Sequence, residues 1–319
     1  MKPKSFVITV DPKAPPAGLE RAVFAIGNFD GVHLGHRAVI DRTKRLAAEL
    51  DAHSAVLTFE PHPADFFAGK PVVFRLTPKA AKARALEEFG LDGAVILSFN
   101  ATLAALSAEE FVHDVLVQRL GVAAVVIGWD FHFGKGRAGS PVFLKEAGGR
   151  YGFRVDVIGK IEAPEAAGAE AISSTAIRRA LEAGDVEAAA RFLGRDYAVA
   201  GAVIPGQKLG RTLGMPTANI ALEPSNRLAF GIYAVEVFVD DARYDGVVSF
   251  GTHPTIDHNP PLLETFLFDF DGDLYGRTME VAFVRRIRGE RKFDSLEAMV
   301  AEVKRDKARA RAILAERGD

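Results

Sequence analysis

No cysteine occurs among the 319 residues, which removes disulfide frameworks, thiolate zinc sites and cysteine nucleophiles from consideration. Long apolar runs are lacking as well. None approaches the ~18 residues a membrane helix requires, and the opening MKPKSFVITVDPKAPP meets its prolines without the apolar core of a signal peptide. Nor is there an excess of positive charge. Forty Lys and Arg against forty-two Asp and Glu leave a net charge of −2, which disfavours a nucleic-acid binder that depends on phosphate contacts. What is present is 48% hydrophobic and 26% charged, the composition of a globular protein, with a length that predicts about two domains. The expectation is a soluble, cytoplasmic protein, monomeric or weakly self-associating, with no nucleic-acid and no membrane partner.

As far as residue 194, strand-like and helical patterns alternate. Residues 23–29, 55–59, 94–97 and 122–127 read as strands, and 37–50, 78–89 and 107–119 as helices, the last opened by the capping sequence Ser107-Ala108-Glu109-Glu110. Such alternation predicts a doubly wound α/β domain with a parallel sheet. A helical pair over 175–192 closes it, and the boundary is expected near Gly194. Beyond, short β-branched and aromatic runs at 198–204, 231–239, 245–250, 265–270 and 279–286 are separated by turn signals. They predict antiparallel hairpins closing into a small β-barrel, followed by an amphipathic helix over 295–317.

The first run that carries chemistry is Gly27-Asn28-Phe29-Asp30-Gly31-Val32-His33-Leu34-Gly35-His36, at a strand-to-helix turn. Glycines there admit close backbone approach, and a helix N-terminus offers unpaired N–H groups to an anion. His33 and His36, three residues apart, can both face one phosphate; the alternative is a glycine turn with two surface histidines. Further along stand Thr58-Phe59-Glu60-Pro61-His62-Pro63, Gly128-Trp129-Asp130-Phe131-His132-Phe133-Gly134 and Ile172-Ser173-Ser174-Thr175-Ala176-Ile177-Arg178. Ser173, Ser174 and Thr175 begin a helix and can bind a second phosphate or serve as its N-cap, with Arg178 one turn on.

These four runs, in this order, resemble the nucleotidylyltransferase domain of bacterial bifunctional riboflavin kinases/FMN adenylyltransferases, or FAD synthetases. The resemblance implies that an incoming flavin phosphate attacks the α-phosphorus of ATP in line, by positioning and charge neutralisation alone. It implies that His33, His36 and Arg178 hold the triphosphate and that Gly27, Asn28, Phe29, Asp30, Gly35, Ser173, Ser174 and Thr175 shape the phosphate site. Phe59 and Pro61, with Asp130, Phe131 and Phe133, would flank the flavin. Lys135 and Arg137 either add positive charge there or form a solvated loop tip.

In the second half, residues 206–219 form a glycine-spaced basic loop ending in Pro216-Thr217-Ala218-Asn219. Gly206, Gly210 and Gly214 permit a phosphate cradle, and Lys208 and Arg211 supply local charge. Thr217 and Asn219 alternate, so in extended chain their oxygens face one way, an arrangement suited to Mg²⁺ bound together with nucleotide phosphates. The loop resembles the signature of the family's riboflavin kinase barrel. Supporting matches are Gly231-Ile232-Tyr233-Ala234-Val235, Gly251-Thr252-His253-Pro254-Thr255 and the segment from Glu264 through Gly276. The likeness implies that Glu264 is the base accepting the proton of the riboflavin ribityl hydroxyl as it attacks the γ-phosphorus. It implies riboflavin, FMN, FAD and ATP as partners and Mg²⁺ as cofactor. Two departures are visible: Pro205-Gly206 where many members have His-Gly, and Glu264-Thr265-Phe266 where many have Glu-Val-His. They leave open an alternative, an FMN adenylyltransferase with a flavin-binding but inactive barrel.

Overall fold

The computed structural model describes residues 6–77, 79–162, 171–205, 216–240, 242–251 and 262–318. It divides into two compact units, residues 1–174 and 175–319.

The first unit is built on six parallel strands in the order β1-β4-β3-β2-β5-β6. These are β1 (Val7–Val10), β2 (Val23–Ile26), β3 (Ser54–Glu60), β4 (Gly93–Ser98), β5 (Ala124–Gly128) and β6 (Arg154–Ile158). The helices between them are α1 (Leu34–Glu49), α2 (Pro63–Ala68), α3 (Lys79–Glu88), α4 (Ala101–Ala105), α5 (Ala108–Glu110) and α6 (Pro141–Tyr151). β2 is buried throughout, and its alternate residues feed two cores: Phe24 and Ile26 pack with Phe111, Leu116 and Phe133, whereas Val23 and Ala25 pack with Ile40, Leu46 and Leu86. This two-sided burial is why the central strands read as unbroken apolar runs. From the β2–β5 pair, successive strands run outward in opposite directions, so the carboxyl ends of β2 and β5 form the topological switch point where ligands settle in doubly wound sheets.

The doubly wound expectation holds, with differences of detail. β2 stops at Ile26 rather than Phe29 because the chain turns at once, Phe29 adopting φ 48°. α1 starts at Leu34, capped by His33. The expected capping box at Ser107 forms with Glu110, but the helix then runs π-helical over Phe111–Arg119, with Leu120 N–H donating to the Val115 carbonyl. β1, β6, α2 and α6 were not expected.

The second unit holds a six-stranded antiparallel sheet in the order β7-β12-β9-β10-β11-β8. Its strands are β7 (Tyr197–Ala202), β8 (Ala218–Ala221), β9 (Gly231–Val239), β10 (Ala242–Gly251), β11 (Leu262–Leu267) and β12 (Thr278–Arg288). A bridge between Ile204 and Asn219, whose carbonyl accepts the Ile204 N–H at 2.9 Å, brings the ends together and nearly closes a barrel. A Cβ on Gly201 would stand 2.2 Å from Ile220 Cγ2, so only glycine lets β7 approach β8 this closely. The helices are α7 (Ser174–Ala183), α8 (Val186–Leu193) and α9 (Leu296–Gly318). By compactness α7 and α8 group with the barrel, although the strand–helix alternation in the sequence sets the boundary near Gly194. The Arg286 guanidinium donates to the Ala183 and Phe230 carbonyls, and Ala229 N–H donates to Leu181. α9 packs Ala310 and Leu314 against Ala234, Val247 and Phe268, with Lys307 Nζ 3.3 Å above the Phe266 ring.

Candidate functional site

At the carboxyl end of β2, the turn over residues 27–33 is held by its own backbone geometry. Phe29, Gly31 and Val32 have φ of 48°, 89° and 41°, and the two apolar side chains are buried as pins in the core below. The Phe29 side chain, expected among the phosphate-binding residues, is thus turned into the core. Asn28 accepts at its carbonyl from the Thr58 hydroxyl at 3.2 Å. The Asp30 carboxylate is 1% exposed and accepts the Leu76 and Thr77 N–H groups at 3.2 and 3.0 Å, while Gly31 N–H donates to Thr77 Oγ1. Asp30 thus straps the turn to the segment that leads into α3.

The turn delivers two histidines to the start of α1. His33 is its N-cap, with Nδ1 accepting from His36 N–H at 3.2 Å, and the two rings stack with centroids 3.7 Å apart and 14° between planes. A Cβ on Gly35 would lie 3.1 Å from Nδ1 and Cε1 of His33, so glycine makes room for the ring. His36 Nδ1 is buried and has no hydrogen-bond partner among the described residues. Burial, then the neighbouring His33 and Lys82, hold the His36 imidazole well below its ordinary range. His36 is thereby kept neutral, and its ring offers an N–H group to an anion. Ser174, the first residue of α7, donates its hydroxyl to the Asp30 carbonyl at 2.8 Å. That hydroxyl fastens the second phosphate candidate to the first. Ser173 immediately precedes it, Thr175 is exposed, and Arg178 lies one turn into α7.

The other half of the switch point is the loop after β5. Phe133 and Gly139 exchange both backbone hydrogen bonds, which folds the loop back on itself. Asp130 is exposed and Phe131 half-buried, whereas Phe133 is packed between Phe111 and Phe143 in the core. Phe133 is therefore a support for this loop, with Phe131 stacked on it at 5.5 Å. Trp129, 52% exposed, is the aromatic that the sequence reading quoted but gave no role. Lys135 and Arg137 are exposed in a short 3₁₀ turn. Phe59 sits at the end of β3 with its ring edge-on to Phe99, which also meets Phe66 and Phe67; Pro61 follows exposed.

Sequence reasoning missed a buried ion cluster here. Glu60 accepts from Arg75 at 2.5 Å and from Lys82 Nζ at 2.9 Å. Burial works against its charge, but those two hydrogen bonds win and hold Glu60 below the usual carboxylate range. Glu60 was visible inside the Thr58–Pro63 run. Arg75 and Lys82 stand 15 and 22 residues away, at spacings no periodicity marks.

In the barrel, Asn219 on β8 lies directly opposite Glu264 on β11, which lies opposite Ser249 on β10, so the three side chains share one face. Glu264 sits mid-strand and half-buried. Asn219 is 3% exposed, and its Oδ1 has no hydrogen-bond partner among the described residues. A buried amide oxygen left unpaired costs about 1–3 kcal/mol and is the hard donor a Mg²⁺ ion takes. Thr217 stands two residues ahead, just before β8. Gly206, Lys208, Gly210, Arg211 and Gly214 lie outside the described residues, as do 252–255.

Comparisons with known proteins agree with this division. Residues 16–176 match the family model described as FAD synthetase, and residues 193–314 the model described as riboflavin kinase. A bifunctional riboflavin kinase/FMN adenylyltransferase from Pseudomonas fluorescens is 42% identical over 294 residues, covering 92% of this chain and 93% of that one. Its counterpart in Escherichia coli (strain K12) is 40% identical over 293 residues, covering 92% of each. A crystal structure described as a macrolide-efflux protein from Streptococcus pneumoniae superposes with a TM-score of 0.81 at 29% identity, covering 94% of this chain and 97% of that one. Among the described residues, no helix is long and apolar enough to cross a membrane.

Proposed function

The chain belongs to the family of bifunctional riboflavin kinases/FMN adenylyltransferases, and from that membership we propose that residues 195–319 phosphorylate riboflavin with ATP to FMN, which residues 1–194 adenylylate with ATP to FAD and pyrophosphate. The observation that carries the adenylylation is the stacked His33–His36 pair at the switch point of the parallel sheet. In that step an FMN phosphate oxygen bonds to the α-phosphorus as the bond to the pyrophosphate leaving group breaks. No side chain needs to become covalently attached, because the nucleophile is already an anion. The imidazoles donate hydrogen bonds to the triphosphate, Arg178 supplies permanent charge, and the N–H groups of residues 173–175 hold a second phosphate. Phe59, Pro61, Asp130 and Phe131 flank the flavin.

The phosphorylation of riboflavin rests on the Asn219–Glu264 rung. Glu264 accepts the ribityl hydroxyl proton as that oxygen attacks the γ-phosphorus and ADP leaves. Thr217 and Asn219 would hold Mg²⁺, which would neutralise charge on the nucleotide phosphates. The orphaned Asn219 oxygen and the match of this half to riboflavin kinase speak against an inert barrel. The enzyme acts in the cytoplasm, as a monomer or weak homo-oligomer, without nucleic acid or membrane.

The test is a flavin separation after incubation with ATP and Mg²⁺. Wild type converts riboflavin to FMN and FAD. Glu264→Ala stops FMN formation yet still makes FAD from supplied FMN, and His36→Ala does the reverse. Loss of both activities in either folded variant refutes one site per domain.

A further inference from the structure

We propose that Arg75 is a positioning residue of the first site: its guanidinium, gripped by Glu60 and Asp65, holds α2 so that Phe67 meets the apolar edge of the flavin ring. The inference rests on the adenylyltransferase reading above and gives roles in it to two residues outside the runs that resemble the family.

Both ends of the segment from Glu60 to Thr77 are tied to the histidine turn. Ahead of its start, β3 pairs with β2, Gly27 N–H donates to the Leu57 carbonyl at 3.1 Å, and the Thr58 hydroxyl donates to the Asn28 carbonyl at 3.2 Å. At its end, the Asp30 carboxylate accepts the Leu76 and Thr77 N–H groups. Between these two anchorages the chain forms α2 and returns, and Arg75 braces it. The guanidinium donates to Glu60 at the end of β3, at 2.5 Å, and stands 3.8 Å from the Asp65 carboxylate on α2. Asp65 turns its other oxygen to the returning chain, accepting the Val72 and Val73 N–H groups at 2.8 and 2.9 Å. The side chains of Arg75, Glu60 and Asp65 are 12, 13 and 11% exposed. Ions sunk this far from water add little to stability compared with an apolar filling. What a planar guanidinium between two carboxylates adds is a fixed geometry between the elements that carry them.

What α2 carries is aromatic. Phe66 and Phe67 meet Phe99 edge-on at 5.4 and 5.7 Å, and Phe99 meets Phe59 at 6.1 Å. Phe59 is buried and Phe66 half-buried, whereas Phe67 is 71% exposed, the most exposed large hydrophobic side chain among the described residues. An apolar ring left in water at the rim of a packed aromatic cluster is surface that a flat apolar ligand covers. The isoalloxazine of FMN is such a ligand. Its dimethylbenzene edge is apolar, while its phosphate must reach the nucleotide at the histidine turn. The segment that carries Phe67 is bonded to that turn at both ends, so one braced unit serves the ring and the phosphate together. Arg75, itself buried, acts through α2 rather than on the substrate.

The experiment is the steady-state kinetics of FAD formation from FMN in the full chain, for Phe67→Ala, Arg75→Gln, the double variant and Asp65→Asn beside wild type. Phe67→Ala should raise KM for FMN roughly tenfold, as expected for losing the burial of an aromatic contact, with kcat and KM for ATP within about twofold of wild type. Arg75→Gln should raise KM for FMN by a similar factor. Added to Phe67→Ala it should raise it little further, because the ring it positions is gone. Asp65→Asn keeps an amide oxygen for the Val72 and Val73 N–H groups but loses the charge facing Arg75, so it should shift KM for FMN the same way by a smaller factor. Phosphorylation of riboflavin should be unchanged throughout. A wild-type KM for FMN in Phe67→Ala overturns the proposal, and that exposed position keeps the test decisive should Arg75→Gln not fold. Independent effects of Phe67→Ala and Arg75→Gln, or an equal rise in KM for ATP, also overturn it, since a merely structural arginine would act without regard to Phe67 or on both substrates. Wild type that forms no FAD sinks the adenylyltransferase reading and this inference with it; wild-type FAD formation with an unmoved KM in Phe67→Ala sinks the inference alone.

Discussion

Replacing Gly35 by alanine separates what the start of α1 needs for folding from what it needs for chemistry. The new Cβ would lie 3.1 Å from Nδ1 and Cε1 of His33 and 3.5 Å from the Ile172 carbonyl oxygen. Carbon contacts are comfortable near 3.5–4.0 Å, so the ring must yield by about 0.5 Å. It cannot do so without disturbing both its stack on His36 and the N-cap bond from His36 N–H. Against this, alanine at a helical position gains up to about 1 kcal/mol over glycine, while crowding of this size costs about 1 kcal/mol or somewhat more. The two nearly cancel, and denaturant unfolding should place Gly35→Ala within about 1 kcal/mol of wild type. Activity has no such compensation. A displacement of about 1 Å at a reacting centre can cost 100-fold, so a shift half as large should lower FAD formation from FMN roughly tenfold. Phosphorylation of riboflavin, measured in the same preparation, should be unchanged. Wild-type FAD formation, or an equal fall in both activities, would refute the reasoning.

Two further predictions concern the barrel. Asn219→Ala removes the unpaired amide oxygen, so the Mg²⁺ concentration needed for half-maximal FMN formation should rise roughly tenfold or more, with no loss of metal-free thermal stability. An unchanged Mg²⁺ requirement would exclude this oxygen as a ligand. Burial pushes the Tyr233 hydroxyl from 10.0 up to about 12. The folded state therefore keeps a proton that the unfolded chain has lost: this contribution is fully present below pH 10 and disappears as pH rises toward 12, by up to about 3 kcal/mol. Tyr233→Phe should flatten the decline of stability across that window, at a cost near neutrality of about 1 kcal/mol for the Ala229 carbonyl left without its donor. An unaltered slope in alkaline urea titrations would count against it.

The two architectures were legible in the sequence because their signals are local. Period-two runs mark the strands of the barrel, and the two-sided burial of β2 and β5 makes them continuously apolar. β1 escaped notice because four residues ahead of a proline-rich stretch carry little pattern, and their pairing with β4 spans more than 80 positions. β6 alternates Arg154-Val155-Asp156-Val157, a polar edge rather than an apolar run. At the first site, residue types announced the histidines and glycines but not which aromatics would be spent on packing. Phe29 and Phe133 belong to runs that point to a ligand, and the tertiary fold turns both inward. The Glu60–Arg75–Lys82 cluster is invisible for a similar reason, since only the folded chain brings a strand end, a loop and a helix together.

The seam of the second domain has an effect on cohesion. The hydrogen bond that joins Ile204 to Asn219 nearly closes the circuit of strands, and the same residue carries a buried amide oxygen with no partner among the described residues. Were the proposed metal to bind that oxygen, occupancy and mechanical integrity would meet at one residue. By that linkage the barrel would resist opening most when it holds its reactants.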